Sequence, residues 1–260
     1  MLRKGLLLSF IFLLTACLQV AAQTSAPAKT EGPSVDELLT KSIDAMGGAE
    51  KFKALKTLKM TGKMIMQGGA MELPMVIQVK QPGAFRSDTT VMGKVVTQAF
   101  DGTSGWQISP MTGKLEAEKM SDEDVRRTRE GFETMVSGPF SNYKEKGTKI
   151  ELVGKEDVEG TAAYNLKVTT KDGESSNVFL DSESYLPIKI LAKSKHGATA
   201  FEMEMYPSDY KAVNGIMFSH SMEGKIKGGP AGAGFQMVME KIEVDVPIDD
   251  AVFKMPAATK

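Results

Sequence analysis

The chain alternates apolar and polar residues over much of its length, which is typical of β-strands that bury one face. This alternation runs from Leu58 to Met66 and again from Met71 to Val79, on either side of the Gly68-Gly69 turn. Further stretches with strand character are Phe85–Val91, Lys94–Asp101, Gly105–Ser109, Lys149–Lys155, Thr161–Thr170, Ser175–Leu180, Leu186–Ser194, Thr199–Tyr206, Ile216–Gly224 and Gly234–Val244. About a dozen antiparallel strands at this spacing predict one large curved sheet, a barrel or a sandwich.

Three segments have a helical pattern instead. Ser34 is followed three residues later by Glu37, a capping-box pattern, and an apolar stripe then runs to Met46. The segment Ala49–Leu55 predicts one or two further helical turns. The segment Ser121–Val136 opens with acidic residues that suit the positive end of a helix dipole.

The first 22 residues predict a secretory signal peptide. Arg3 and Lys4 precede the apolar stretch Gly5–Leu14, and small residues lead to a cleavage site before Gln23. The apolar stretch is too short to span a bilayer. We therefore expect an exported, soluble protein.

A second processing route starts from the segment Leu14-Thr15-Ala16-Cys17, which resembles a lipobox. In that case Cys17 would be lipidated, would become the mature N-terminus and would anchor the protein to a membrane. The bulky Leu18 and the good cleavage site before Gln23 favour the free form. Cys17 is the only cysteine, so the mature domain has no disulfide.

The rest of the chain predicts a tether and one domain. Residues 23–33 are rich in Ser, Ala, Thr, Pro and Gly and predict a flexible tether. Residues 34–260 show no internal repeat and no second linker, so we expect a single domain. Signal cleavage removes Arg3 and Lys4 and leaves 30 basic and 33 acidic side chains, a net charge of −3. That balance gives no electrostatic basis for binding nucleic acid.

Residues that usually carry catalysis are scarce. His196 and His220 are the only histidines, and the chain lacks the common zinc, nucleophile-elbow, phosphate-loop and dinucleotide motifs. On a strand, Ser219 and Ser221 would point away from the face that carries His220. A hydrolase would require His220 to be buried beside a carboxylate and an exposed serine. The sequence therefore predicts a protein that is not an enzyme and has no catalytic or metal site.

Methionine is unusually frequent, with 18 residues among 260. Its side chain is flexible and polarizable, so it fills irregular space and adapts to ligands of variable shape. Two interpretations remain open: a methionine-rich core, or the lining of an acyl-chain cavity between the sheet and its helices. In the second, the predicted lipid-binding residues are Met60, Met64, Met66, Met71, Leu73, Met75, Ile77, Val79, Phe201, Met203, Met205, Phe235, Met237 and Met239. The helices that cover the cavity would contribute Leu38, Leu39, Ile43, Phe132 and Met135.

Several turn motifs follow one another in a characteristic order. They are Met46-Gly47-Gly48-Ala49-Glu50-Lys51-Phe52 with Leu55-Lys56-Thr57, Asp101-Gly102 to Trp106 with Pro110 and Gly113, Tyr185-Leu186-Pro187, Val213-Asn214-Gly215-Ile216, and Val246-Pro247-Ile248-Asp249-Asp250 with Phe253 and Pro256. In this order, and over nearly all of the mature chain, they resemble the LolA-like outer-membrane lipoprotein-sorting superfamily. The chain departs from the best-studied carriers in its length, in Lys144–Lys155 and in Gly224–Gly234, and it does not match the polar residues that position their lid.

The resemblance implies a mainly β fold with a few helices. The expected architecture is an incomplete antiparallel β-barrel, a curved half-barrel sheet whose concave apolar face is covered by helices. The implied function is a periplasmic carrier for lipid or lipoprotein acyl chains in the cell envelope, without a cofactor, and contact with envelope membrane proteins stays open. The alternative is a non-carrier interaction or stress-sensing module of the envelope with a filled core. The sequence does not predict the oligomeric state.

Overall fold

The structure is a computed structural model that describes residues 32–66, 69–137, 140, 142–196, 199–229 and 233–257. Within these ranges the side chains of residues 134–137, 194–196 and 199–200 are not described. The predicted signal peptide, Cys17 and most of the predicted tether lie outside the described residues.

In the described residues, thirteen strands form one antiparallel sheet. The strands are β1 Thr57–Met66, β2 Met71–Lys80, β3 Ala84–Val91, β4 Lys94–Phe100, β5 Gly105–Ser109, β6 Lys114–Lys119, β7 Lys149–Val158, β8 Thr161–Thr169, β9 Ser175–Asp181, β10 Pro187–His196, β11 Thr199–Val213, β12 Ile216–Ile226 and β13 Gly234–Val244. Strands β1–β6 form one meander and β7–β13 form another, and the pairing of β1 with β13 joins the two meanders. Among these strands the sheet is not closed, since β6 and β7 are its two edges. The predicted fold class, an incomplete antiparallel barrel, is confirmed.

The alternating pattern in the sequence determines which residues lie together on one face of the sheet. Met60 of β1 lies opposite Ile77 of β2 and Ile242 of β13, and all three side chains are buried. Because successive residues of a strand point to opposite faces, the next residues on this face of β1 are Gly62 and Met64. We call it the concave face, because the helices cover it.

One edge strand was missed by the sequence pattern. Strand β6 reads Lys-Leu-Glu-Ala-Glu-Lys and pairs only with β5 among the described strands. Leu115 in this strand is 70% exposed, so β6 has no buried side to produce an alternating pattern. Charged side chains on an edge strand also discourage pairing with another molecule.

Strand β11 continues beyond the predicted end at Tyr206. It runs to Val213 and includes Pro207, which lies opposite Met222 of β12. The ladder between β10 and β11 extends only as far as the pair Ile190 and Met205. Pro207 lies past this pair, so the amide hydrogen that proline lacks is not needed on that side.

The three predicted helices are present, and the first of them begins with the predicted capping box. They are α1 Val35–Ala45, α2 Ala49–Ala54 and α3 Asp122–Ser137. The Ser34 backbone N–H donates to the Glu37 carboxylate at 2.7 Å, and the Glu37 N–H donates to the Ser34 hydroxyl at 3.2 Å, which completes the capping box. Among the described residues, no helix combines the length and apolar character needed to cross a membrane.

Two apolar clusters pack the helices on the concave face. In one, Leu38 and Leu39 of α1 are buried against β8 and β9, where they join Leu166 and Val178. In the other, Val125 and Phe132 of α3 pack on a cluster formed by β1–β4, β12 and β13. The Phe132 ring stacks on Phe85 at a centroid distance of 4.4 Å. Helices α1 and α3 therefore cover different halves of the sheet.

The C-terminal segment packs on the opposite, convex face. Trp106 follows Ala99 and Arg86 across the sheet, so it lies on the face opposite Phe85. Its indole N–H donates to the carbonyl oxygen of Phe253 at 2.7 Å, and both side chains are buried. The 3₁₀ turn Asp250–Phe253 thus fills the convex face near β3 to β5.

Candidate functional site

A cavity of about 730 Å³ lies between the concave face and α3. Its wall combines residues of β8 to β13 with Met60 of β1, the end of α1 and the inner side of α3. The apolar residues of the wall are Met46, Phe52, Met60, Val168, Val178, Pro187, Ile190, Ala192, Met205, Pro207, Met217, Phe218, Met222, Met237 and Met239. Such a wall can hold an apolar ligand by burial alone.

Methionine makes up much of this wall. Four residues from the predicted lining lie in it, namely Met60, Met205, Met237 and Met239. Three more methionines of the wall were not predicted, namely Met46, Met217 and Met222. Met217 and Met222 are an odd number of residues apart on β12, so alternation along a strand could not select both. Met46 is the C-cap of α1, where no strand pattern applies.

The other predicted lining residues lie elsewhere in the described structure. Met75, Ile77 and Val79 belong to the core cluster beneath α3, and Leu73 is buried near them. The remaining predicted lining residues are half-buried and do not belong to the wall of the larger cavity. They are Met64, Met66, Met71, Phe201, Met203 and Phe235. Val125 and Phe132 of α3 pack on the cluster that contains Met75, Ile77 and Val79. The larger cavity thus shares four residues with the predicted lining and draws the rest of its wall mainly from β8 to β13.

The predicted covering residues also divide between the two helices. Leu38 and Leu39 are buried beneath α1, and Ile43 is half-buried in the same helix. Phe132 borders a second, smaller cavity of about 470 Å³, which also touches Phe85. The side chain of Met135 lies outside the described residues. Leu38, Leu39 and Phe132 hold their helices on the sheet, and the larger cavity lies between the two packed clusters.

Charged residues line the mouth of the larger cavity. They are Arg126, Arg129, Glu130, Glu133, Lys146, Lys171, Asp172, Glu174 and Lys193. Glu133 of α3 pairs with Lys146 at 3.0 Å, and Arg126 approaches Asp172 of the β8–β9 turn at 3.8 Å. These side chains are 38–53% exposed, so each pair contributes little to stability. Their arrangement separates an aqueous mouth from an apolar interior.

His220 is a buried polar residue in the wall of this cavity. Its side chain is 9% exposed, and its Nδ1 lies 3.1 Å from the carbonyl oxygen of Phe218. Because a carbonyl oxygen only accepts, Nδ1 carries the hydrogen in this contact. The Ser219 hydroxyl donates to the Ser221 carbonyl at 2.6 Å. Within the described residues, no hydrogen bond or ion pair joins His220 to a serine or a carboxylate.

The described ranges also contain no group of three or more His, Cys, Asp or Glu residues placed to hold a metal ion. The wall of the cavity offers apolar surface together with a few hydrogen-bonding groups such as His220.

Tyr210 is a second buried polar residue in the wall. Its hydroxyl donates to the carbonyl oxygen of Pro187 at 2.9 Å and so connects β11 to the start of β10. Burial raises the pKa of Tyr210 well above its ordinary value, because the charged phenolate would lose its hydration. The hydroxyl consequently stays protonated and keeps donating to Pro187.

Three solved structures share this architecture. A domain of an outer membrane lipoprotein-sorting protein from Vibrio parahaemolyticus aligns with a TM-score of 0.53 at 15% identity, covering 84% of this chain and 94% of that chain. A DUF1329 family protein from Desulfovibrio piger gives 0.57 at 15% identity, with 86% and 98% covered. A LolA superfamily protein from Nitrosomonas europaea gives 0.55 at 10% identity, with the same coverage.

These similarities establish the fold. The chain has a LolA-like fold, as the order of its turn motifs implied. No family model matches the chain. No curated protein matches it either.

Proposed function

We propose that this protein is an exported, periplasmic carrier that binds lipids or lipidated proteins and holds their acyl chains in the larger cavity. The observation that carries the proposal is the cavity itself, about 730 Å³ of space with a largely apolar wall. This volume falls within the range of about 300–1,000 Å³ that is usual for small-molecule sites. The methionines of the wall suit acyl chains of varied length and shape.

Apolar burial supplies the binding free energy in this proposal. Each buried methylene contributes about 0.8 kcal/mol, so a chain of fourteen methylenes contributes about 11 kcal/mol before the cost of ordering is subtracted. A carrier of this kind needs a long apolar space more than a strong polar contact. The charged mouth, with Arg126 and Lys146, would leave a headgroup or an attached protein in water.

Two further observations support the same function. The sequence predicts export through the signal peptide in residues 1–22. The solved structures that share the fold include one described as an outer membrane lipoprotein-sorting protein.

A second function has one observation in its favour. Met111 and Leu115, in the β5–β6 hairpin at the sheet edge, are 49% and 70% exposed. Exposed apolar side chains in such a hairpin suit an envelope interaction module that docks on another protein. That module is expected to have a filled core, and the cavity of about 730 Å³ favours the carrier.

Native mass spectrometry of the full chain, expressed with its own signal and purified without detergent, tests the carrier. We expect a discrete added mass that disappears on extraction with organic solvent. The same spectrum distinguishes cleavage before Gln23 from lipidation at Cys17. A ligand-free mass that persists after incubation with envelope lipids would favour the interaction module.

A matched pair of variants places the ligand. Met237→Glu puts a charge into the cavity wall, whereas Met111→Glu puts the same charge on an exposed hairpin. Because burying an unpaired carboxylate beside a ligand is costly, we expect Met237→Glu to weaken uptake of a fluorescent fatty acid at least tenfold. Met111→Glu should leave uptake unchanged. If Met237→Glu has a native circular dichroism spectrum and unchanged uptake, the ligand does not occupy this cavity.

A further inference from the structure

The imidazole of His220 is a polar group in the largely apolar wall of the cavity. It lies in the middle of β12, with Met222 two residues along the same face and Met239 on the neighbouring strand. Its side chain is about nine-tenths buried. The charged residues of the mouth, such as Arg126 and Asp172, lie on α3 and in the β8–β9 turn. His220 therefore faces the part of the cavity that holds the chain of a ligand.

The hydrogen bond on Nδ1 determines what the other ring nitrogen can do. Nδ1 donates to the Phe218 carbonyl oxygen, so the neutral ring has its lone pair on Nε2. Within the described residues, no partner is present for Nε2. By contrast, the hydroxyl of Tyr210 already donates to Pro187. His220 thus presents an open acceptor to the cavity.

An open acceptor in an apolar cavity discriminates between ligands. Methylene groups cannot donate a hydrogen bond, and ester or phosphodiester oxygens only accept one. A plain acyl chain across His220 would remove water from Nε2 and leave it unpaired, which is unfavourable. A hydroxyl group at that point of the chain would donate to Nε2 and restore the lost bond. A few polar groups placed in this way usually set the specificity of an apolar site.

From this geometry we infer that the cavity selects acyl chains that carry a hydroxyl group, and that His220 is the residue that recognises the hydroxyl. The inference rests on the proposed function, since it takes the cavity as an acyl-chain site. It adds the chemical class of the ligand and assigns a specificity-determining residue.

Competition binding with matched fatty acids tests the inference. Displacement of a fluorescent fatty acid from the full chain is measured with tetradecanoate against 3-hydroxytetradecanoate, and with octadecanoate against its 2-hydroxy and 12-hydroxy derivatives. Both members of each pair carry the same carboxylate, so the ratio of their affinities isolates the hydroxyl. We expect the wild type to bind at least one hydroxylated chain about tenfold more tightly than its plain counterpart.

Two substitutions assign this preference to His220. His220→Phe keeps a ring of similar shape without an acceptor, so the preference should disappear while the plain chain still binds. His220→Gln retains a hydrogen-bonding side chain and should retain part of the preference. Nitrogen-15 spectra of the wild type provide an independent readout, since the chain has only two histidines. The Nε2 signal of His220 should differ between the two complexes, because the hydroxylated chain restores the hydrogen bond that the plain chain removes.

The outcomes separate the inference from the proposed function. If no fatty acid displaces the probe from the wild type, the proposed acyl-chain site is wrong. If plain and hydroxylated chains bind equally well to the wild type, the carrier stands and the role of His220 is wrong. A hydroxyl preference that persists in folded His220→Phe also overturns that role. Should His220→Phe fail to fold, the wild-type ratios and the nitrogen shift still decide the question.

Discussion

Gly47 lies so close to Gly215 that a β-carbon on Gly47 would collide with the carbonyl oxygen of Gly215. The two glycines belong to motifs far apart in sequence, one after α1 and the other in the β11–β12 turn. Beside them, the Met217 N–H donates to the Met46 carbonyl oxygen at 2.9 Å. Met46 and Met217 both line the larger cavity. This backbone contact therefore fixes the end of α1 at the cavity wall.

Alanine substitutions measure how much this contact requires glycine. Gly47 has a φ of +117°, and Gly48 has a φ of +89° with no atom within 4 Å of an added β-carbon. Both replacements strain the backbone, and Gly47→Ala adds the collision. We expect a loss of about 3 kcal/mol in the free energy of unfolding for Gly47→Ala and about 1 kcal/mol for Gly48→Ala. Urea denaturation measures both values, and equal losses would show that the collision is relieved.

The local parts of this fold could be predicted from sequence because their causes are local. The capping box of Ser34 and Glu37 and the alternating strands depend on residues close together in the chain. Strand β6 could not be found in this way, since its mostly exposed side chains carry no alternating signal. The contact of Gly47 with Gly215 depends on tertiary packing, which no local pattern describes.

The cavity wall could be predicted only in part, for a related reason. Alternation correctly places Met75 and Met239 on the concave face. It does not say which part of that face a helix covers. Met75 lies in the packed core beneath α3, and Met239 reaches the cavity wall as well. The position of α3 determines which residues of the concave face are covered and which reach the cavity. The position of a helix on a sheet depends on tertiary contacts such as that between Phe132 and Phe85.

The anchoring of the C-terminal segment can be measured at Phe253. Its side chain is 2% exposed, and its carbonyl oxygen accepts the hydrogen bond from Trp106. We expect Phe253→Ala to lower the free energy of unfolding by about 3–5 kcal/mol, because a large buried ring is removed. Trp106 is the only tryptophan, so its fluorescence should shift to longer wavelength as water reaches the indole. Met255→Ala, at a side chain that is 39% exposed, should change neither quantity appreciably.

The ion pair of Lys189 and Glu204 predicts a dependence of stability on pH. The two side chains lie 2.8 Å apart and are each 19% exposed. The hydrogen bond from Lys189 lowers the pKa of Glu204 below its ordinary value. The folded carboxyl group therefore binds a proton less readily than the unfolded one. Its contribution to stability is present above the ordinary carboxyl pKa and is lost as the pH falls through the lowered folded pKa.

Glu204→Gln tests this dependence directly. We expect a loss of about 1 kcal/mol in the free energy of unfolding at pH 7, because Lys189 loses its ionised partner. The difference from the wild type should shrink as the pH falls below the ordinary carboxyl pKa and through the lowered pKa of the folded Glu204. Urea denaturation between about pH 3 and 7 measures it. Glu50→Gln, at a side chain that is 89% exposed, is the control, and a comparable loss there would contradict the assignment to Glu204.

The hydrogen bond from Tyr210 to Pro187 gives a stability test inside the cavity wall. Tyr210→Phe keeps the ring but removes the donor, so the carbonyl oxygen of the buried Pro187 loses this hydrogen bond. We expect a loss of about 1–2 kcal/mol in the free energy of unfolding, measured by urea denaturation. Tyr143→Phe removes a comparable hydroxyl that donates to the exposed Asp36 at 3.0 Å, where water can replace it. That variant should lose less than about 0.5 kcal/mol. Equal losses in the two variants would mean that water reaches the Pro187 carbonyl through the cavity.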